Sequence, residues 1–312
     1  MALAEAPGPP LRRAHGPGSR SRALSLGSVP PPALILLGIV SVQVGAGLAK
    51  NLFDRLPPSA VVTLRLLTSA IVLAFVARTA LRTLLRDHSR SNLLVAAGLG
   101  LALATMNFSI YQSFARIPLG VAVTIEFLGP LLVAIVASRR PRDLLWALLA
   151  GGGVVMLARG GGGGLDWAGV AYALLAGAGW AAYILLTAAT GRRFSGSTGL
   201  ALASVVGTAA VLPLGVASGG AAMLDPELLL IGLGVGLLSS VIPYSLELEA
   251  LRRMPARVFG ILMSLEPAVA ALVGVLILGE VLSGRQWAAI VCVMAACAGA
   301  TLGQDPPEAP EA

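Results

Sequence analysis

The chain has 312 residues, of which 56% are hydrophobic and 12% charged, with a mean hydropathy of +0.86; soluble domains carry about 25% charge, so a water-soluble globule is excluded. The net charge of +7 at pH 7 does not point to nucleic acid, because the arginines fall in short groups between apolar runs and not on one face. Cys292 and Cys297, five apart in the last apolar run, have neither disulfide-framework nor metal-ligand spacing, so no metal site and no cofactor is expected.

Residues 1–31 are rich in Pro, Gly, Ser and Arg, a composition that buries too little apolar area to offset chain entropy, and read as a disordered cytoplasmic tail. Arg12, Arg13, Arg20 and Arg22 precede the first apolar run, which lacks a small-residue cleavage site and reads as an uncleaved helix. A bilayer core needs about 20 apolar residues per helix. Punctuation by charge, Pro and Gly gives ten spans: 33–50, 59–77, 92–114, 119–138, 143–158, 167–189, 197–217, 227–248, 257–278 and 286–302. Residues 304–312 form a second polar tail. Sixteen of the 22 basic residues fall on one side of these spans and five on the other, with Arg65 inside a span, which orients both termini to the cytoplasm.

The halves resemble each other. Arg116-Ile-Pro118 and Pro130 recur as Arg253-Met-Pro255 and Pro267 at a constant offset of 137, and Trp146-Ala-Leu matches Trp287-Ala-Ala at 141. The chain therefore divides into a first five-helix repeat over 32–160 and a second over 161–303. An odd number of spans per repeat inverts the second copy, an architecture that transporters use around a midplane site. The expected fold is an all-α integral membrane protein of ten transmembrane helices in two inverted-topology five-helix repeats.

Ionisable groups are costly in hydrocarbon and normally face a cavity or a partner. Four lie within spans: Arg65, Glu126, Glu247 and Glu266. Glu126 reads either as a protonatable carboxylate that couples export to proton entry or as a structural partner of Arg65. Glu266, just before Pro267, reads either as a residue of a broken helix at the site or as a packing ion pair. Glu247 shares a helix face with Tyr244, and Pro243 frees backbone carbonyls that can line a cavity. Glu249, on the other side of that helix and near Arg252 and Arg253, reads as an interfacial ion-pair partner.

Asn107 and Tyr111 are spaced i, i+4 and share a face able to bind a zwitterion or to bond a neighbouring helix. Gln43, Trp180 and Tyr183 are further candidates for binding or packing. Lys50, the chain's only lysine, ends the first span and either snorkels to the interface or attracts a substrate carboxylate. Gly160–Gly164 lacks the Gly-Lys-Ser/Thr ending of a phosphate loop and reads as an external loop. Gly151–Gly153, Gly232, Gly234 and Gly236 read as helix-packing positions. No Gly-x-Ser-x-Gly, His-Glu-x-x-His, P-loop or His/Cys cluster is present, so neither an enzyme nor an ATP-driven pump is expected.

The stretches Val42-Gln-Val-Gly-Ala-Gly-Leu-Ala-Lys50, Leu64-Arg-Leu66, Ile117-Pro-Leu-Gly-Val-Ala-Val-Thr-Ile-Glu-Phe-Leu-Gly-Pro130, Ser138-Arg-Arg-Pro141, Gly179-Trp-Ala-Ala-Tyr-Ile184, Ile242-Pro-Tyr-Ser-Leu-Glu247 and Phe259-Gly-Ile-Leu-Met-Ser-Leu-Glu-Pro267 resemble EamA-type members of the drug/metabolite transporter superfamily, most closely its bacterial threonine and homoserine exporters. The resemblance runs from about Leu34 to Leu302. It implies two inverted repeats in the inner membrane and efflux of small hydrophilic amino acids by alternating access and proton antiport, as a monomer or homodimer. The partners it implies are a small-molecule substrate, protons and the lipid bilayer. Glu249 stands where the family resemblance leads one to expect an apolar residue. The competing readings are export of nucleobases or drugs, a membrane enzyme acting on lipid-linked substrates, and a noncatalytic assembly or receptor protein.

Overall fold

The computed structural model describes residues 29–76, 90–138, 143–159, 166–191 and 198–302. Residues 1–28, the tail over 304–312 and the Gly160–Gly164 loop lie outside them. Among the described residues there is no strand. The helices are α1 (Pro31–Asn51), α2 (Pro58–Val76), α3 (Arg90–Phe114), α4 (Leu119–Glu126), α5 (Leu128–Ser138), α6 (Asp143–Arg159), α7 (Trp167–Gly191), α8 (Thr198–Gly219), α9 (Pro226–Gly236), α10 (Ile242–Leu251), α11 (Ala256–Met263), α12 (Glu266–Leu278) and α13 (Gly284–Leu302).

Among the described residues, eight helical stretches are long and apolar enough to cross a membrane: Pro31–Asp54, Asn92–Phe114, Leu119–Ser138, Trp167–Thr190, Gly199–Leu224, Pro226–Leu251, Arg257–Leu278 and Gly284–Leu302. Pro58–Leu73 and Asp143–Leu157 are apolar but shorter. Large apolar side chains cover the outside, among them Ile71, Leu94, Leu148 and Leu276, the last 79% exposed. Such a surface requires lipid around it. The chain is a multi-pass all-α membrane protein.

Three of the expected spans are not continuous α-helices, and proline explains each departure. Proline has no N–H to give to the carbonyl four residues earlier and crowds that carbonyl. Pro130 lies four residues after Glu126, where α4 stops; Pro267 lies four after Met263, where α11 stops. Pro243 lies four after Ser239, inside a π-helical segment, Leu237–Val241, that joins α9 to α10. The two broken spans begin with half-helices of equal length, Leu119–Glu126 and Ala256–Met263, at the same 137-residue offset as the sequence matches.

The helices pack through their smallest residues. A Cβ on Gly129 of α5 would lie 1.9 Å from the carbonyl oxygen of Gly177 on α7, and one on Gly120 of α4 would lie 2.5 Å from Cα of Ala271 on α12. Only glycine permits such backbone approach. Gly153, Gly232 and Gly236 also pack closely against neighbours, as expected, but Gly151, Gly152 and Gly234 have nothing within 4 Å of an added Cβ and are not packing positions. They face away from the neighbouring helices.

Around these contacts α3 lies against α7 and α8, α2 against α8, α1 against α10 and α12, and α6 against α13. Arg253 donates to the carbonyl oxygen of Val29 at 2.9 Å, and Arg257 donates to that of Leu302. The start of α1 and the end of α13 therefore lie at the same end of the bundle.

Candidate functional site

A cavity of about 300 Å³ lies among α1, α2, α3, α4, α7, the π-helical segment, α10, α11 and α12. Ten of the eleven sequence candidates line it; Lys50 does not.

Glu126 and Glu266 enter the cavity from the interrupted spans. Glu126 is the last residue of α4, at the partially negative end of a half-helix, and Glu266 is the first of α12, at a partially positive end. Each is 8% exposed. Oε1 of Glu266 accepts a hydrogen bond from Nε2 of Gln43 on α1 at 2.9 Å. The expected alternative of a direct Glu126–Arg65 ion pair is not realised: among the described residues no carboxylate lies within 4.0 Å of the Arg65 guanidinium.

Arg65 is held instead by a carbonyl of the π-helical segment that precedes Pro243. Its Nη2 donates to the Ser239 carbonyl oxygen at 3.0 Å. The adjacent Leu238 carbonyl accepts from Oγ of Ser41 on α1 at 2.7 Å, so the π-helical segment gives two carbonyls to neighbouring helices. Beneath Arg65 lies Tyr111, wholly buried, its ring centroid 5.6 Å from the guanidinium carbon. Phe53 and Phe114 pack on that ring at 6.2 and 5.7 Å. The arginine thus rests on a fixed aromatic floor.

Asn107 donates Nδ2 to the Leu103 carbonyl of its own helix at 2.9 Å. Trp180 meets Phe127 edge to face at 4.9 Å and walls the cavity near the α4–α5 break. Tyr183, Tyr244 and the half-buried Glu247 line its other end, where Gly38 of α1 leaves room for the Glu247 side chain. Glu249, as expected, faces Arg252 and Arg253 at 3.9 and 3.8 Å outside the site.

Five buried polar atoms of this cluster have no hydrogen-bond partner in the protein: Oε1 of Gln43, Nε of Arg65, Oη of Tyr111, Oγ of Ser239 and Oε2 of Glu266. Each unmet atom costs about 1–3 kcal/mol. Their concentration around one cavity marks a place built for a polar ligand with both positive and negative groups.

Sequence reading missed two participants. Ser239 was signalled only by the Ser239-Ser240 pair before Pro243 in an apolar run. Glu280 lies beyond α12 and pairs with Lys50 at 2.7 Å, and Lys50 also donates to the Ile117 carbonyl at 2.9 Å. Lys50 therefore does not line the cavity: its ammonium is taken up by a protein carboxylate at the edge of an outer depression.

Interrupted apolar helices that meet at a charged midchain cavity define a multi-pass membrane transporter. Residues 167–302 match the EamA-like transporter family. Across 275 residues the chain is 41% identical to the threonine/homoserine exporter RhtA of Salmonella typhimurium, covering 87% of this chain and 91% of that protein. It is 40% identical to RhtA of Escherichia coli K12 over the same shares. A solved crystal structure superposes with a TM-score of 0.60 at 18% identity, covering 86% of this chain and 96% of the other, a likeness of fold alone. The chain belongs to the RhtA-like, EamA-type transporters.

Proposed function

We propose that this protein is an inner-membrane exporter of small hydrophilic amino acids such as threonine and homoserine, working by proton antiport and alternating access. The observation that carries the reading is the paired presentation of Arg65 and of the Glu126, Glu266 and Gln43 acceptors around one cavity of about 300 Å³. An α-amino acid needs both: the guanidinium receives its carboxylate as a planar fork, and the acceptors receive its ammonium. The similarity to curated threonine/homoserine exporters over most of both chains supports the same substrate class.

Glu126 is the coupling residue in this reading. It has no cationic partner within 4.0 Å among the described residues, and a proton and a substrate ammonium are alternative occupants for it. Gln43 fixes Glu266 for the same ammonium.

Ten transmembrane helices in two inverted repeats complete the reading. The equal half-helices at a 137-residue offset support it, as do the two shorter apolar helices, α2 and α6, which supply the ninth and tenth spans. The excess of arginine on one side supports cytoplasmic termini.

The test is efflux of radiolabelled threonine and homoserine from loaded right-side-out vesicles, for wild type and Glu126→Gln, with and without a pH gradient. Gradient-driven efflux that is lost in a normally inserted Glu126→Gln is the expected result. Wild-type vesicles that retain both amino acids while exporting a nucleobase or drug would overturn the substrate.

A further inference from the structure

At the end of the bundle away from Val29 and Leu302, one carboxylate ties three helices together. Glu280 accepts the Lys50 ammonium of α1 at 2.7 Å and, through its two oxygens, the backbone N–H of Leu119, the first residue of α4, at 3.1 and 2.9 Å. Lys50 is held from its other side by the Ile117 carbonyl at 2.9 Å.

The local backbone is shaped for this contact. Gly279 ends α12 in the left-handed region, at φ 65°, and lets the Glu280 N–H return to the Gly274 carbonyl at 3.0 Å. A Cβ on Gly274 would lie 2.2 Å from Oε2 of Glu280, so only glycine leaves room for the carboxylate to fold back over α12.

Directly beneath the cluster the chain is closed by small, buried residues. Gly47 of α1 abuts Val273 of α12, where a Cβ would meet the valine at 2.9 Å, and Ala49 and Leu119 are wholly buried. The central cavity reaches Ala46 on one side of this layer. On the other side is an outer depression lined by Lys50, Asp54, Arg116 and Glu280, and the two share no residue. From Ala46 to Lys50 is about 6 Å of helix rise.

We propose that the Lys50–Glu280–Leu119 cluster is the outer gate of the transporter. Its contacts hold α1, α4 and α12 together and close the cavity on that side; their release lets the Gly47–Val273 seam part and the cavity open outward. Both states are tolerable because Lys50, Glu280 and Ile117 line the outer depression, where water takes over their bonds when the gate opens. The proposal rests on the transport reading and on the orientation that puts this end outside.

The test uses the full chain in intact cells, with Cys292 and Cys297 replaced by Ala and Ala46→Cys as the single thiol in the cavity. A membrane-impermeant maleimide added outside reports whether the cavity is open to that side, without reference to any substrate. Glu280→Ala and Lys50→Met are expected to raise labelling about tenfold, the equivalent of about 1.4 kcal/mol in the gate equilibrium. Lys50→Arg, which keeps the charge, is expected to stay within about twofold of the parent.

Unchanged labelling in Glu280→Ala and Lys50→Met at normal surface abundance overturns the gate. So does an equal rise in Lys50→Arg, the sign of general loosening. If labelling rises as expected but the parent protein exports neither threonine nor homoserine, the gate stands and the substrate assignment falls.

Discussion

Gln43 of α1 reaches across to Glu266 of α12 and donates its side-chain N–H to that carboxylate at 2.9 Å, with both residues buried. The bond couples the first helix to the start of a half-helix in the second half of the chain. Its removal leaves a buried carboxylate oxygen without this donor, at a cost of about 1–3 kcal/mol. Gln43→Leu is accordingly expected to lower threonine efflux about tenfold or more. Gln43→Asn, which keeps the amide on a shorter stem, should fall between Leu and wild type. Initial efflux rates from vesicles with matched protein content measure this, and equal rates in all three would remove Gln43 from the site.

Arg65 offers a fork and not merely a charge. One of its terminal nitrogens is engaged by the Ser239 carbonyl, while Nε is buried without a partner. Lysine would retain the charge but cannot bond the carbonyl and a substrate carboxylate in the same plane. Arg65→Lys is expected to raise the apparent KM for threonine by about tenfold, a loss of about 1.4 kcal/mol, and Arg65→Met to abolish efflux. Concentration-dependent transport in reconstituted vesicles separates the two; an unchanged KM in Arg65→Lys would count against carboxylate recognition.

Pro243 should trade stability against activity. Pro243→Ala restores an N–H four residues after Ser239, and that N–H competes with Arg65 for the Ser239 carbonyl. The variant is expected to be at least as thermostable as wild type in detergent yet slower in efflux. A faster or unaltered transporter would show that the freed carbonyl has no part in holding Arg65.

Two glycines of the apolar helices should separate sharply on substitution. Gly129→Ala forces a methyl group to within 1.9 Å of the Gly177 carbonyl, whereas Gly152→Ala meets nothing within 4 Å. The former is expected to lose about 1–3 kcal/mol, as for overpacking in a tight core, and to fall in membrane abundance; the latter should match wild type. Fluorescence-detected size exclusion of tagged proteins at rising temperature reports both.

The sequence showed the membrane class, the approximate spans and most of the cavity, because an ionisable residue inside an apolar run is conspicuous wherever it lies. Glu126, Glu266, Glu247 and Arg65 could be singled out on that ground alone, and all four line one cavity. Their pairings were not legible. Whether Arg65 meets a carboxylate or a carbonyl depends on the approach of α2 to the π-helical segment, a tertiary contact across 174 residues. The breaks at Phe127 and before Glu266 were readable in principle from Pro130 and Pro267, but hydropathy averages over them. Glu280 escaped notice because a charge just past an apolar run is ordinarily solvated. Only the fold shows it turned inward onto Lys50.

The placement of Val29, beside Arg253, and Leu302, beside Arg257, at the same end of the bundle has a practical consequence. Fusion partners attached before the first helix and after the last would emerge on the same face of the bilayer. Two halves of a split fluorescent reporter joined to one polypeptide in this way should therefore reassemble within a single molecule, lighting up at expression levels too low for encounters between copies. The signal would report complete passage of the chain through the membrane, and a frameshift or an arrested insertion would leave the cell dark.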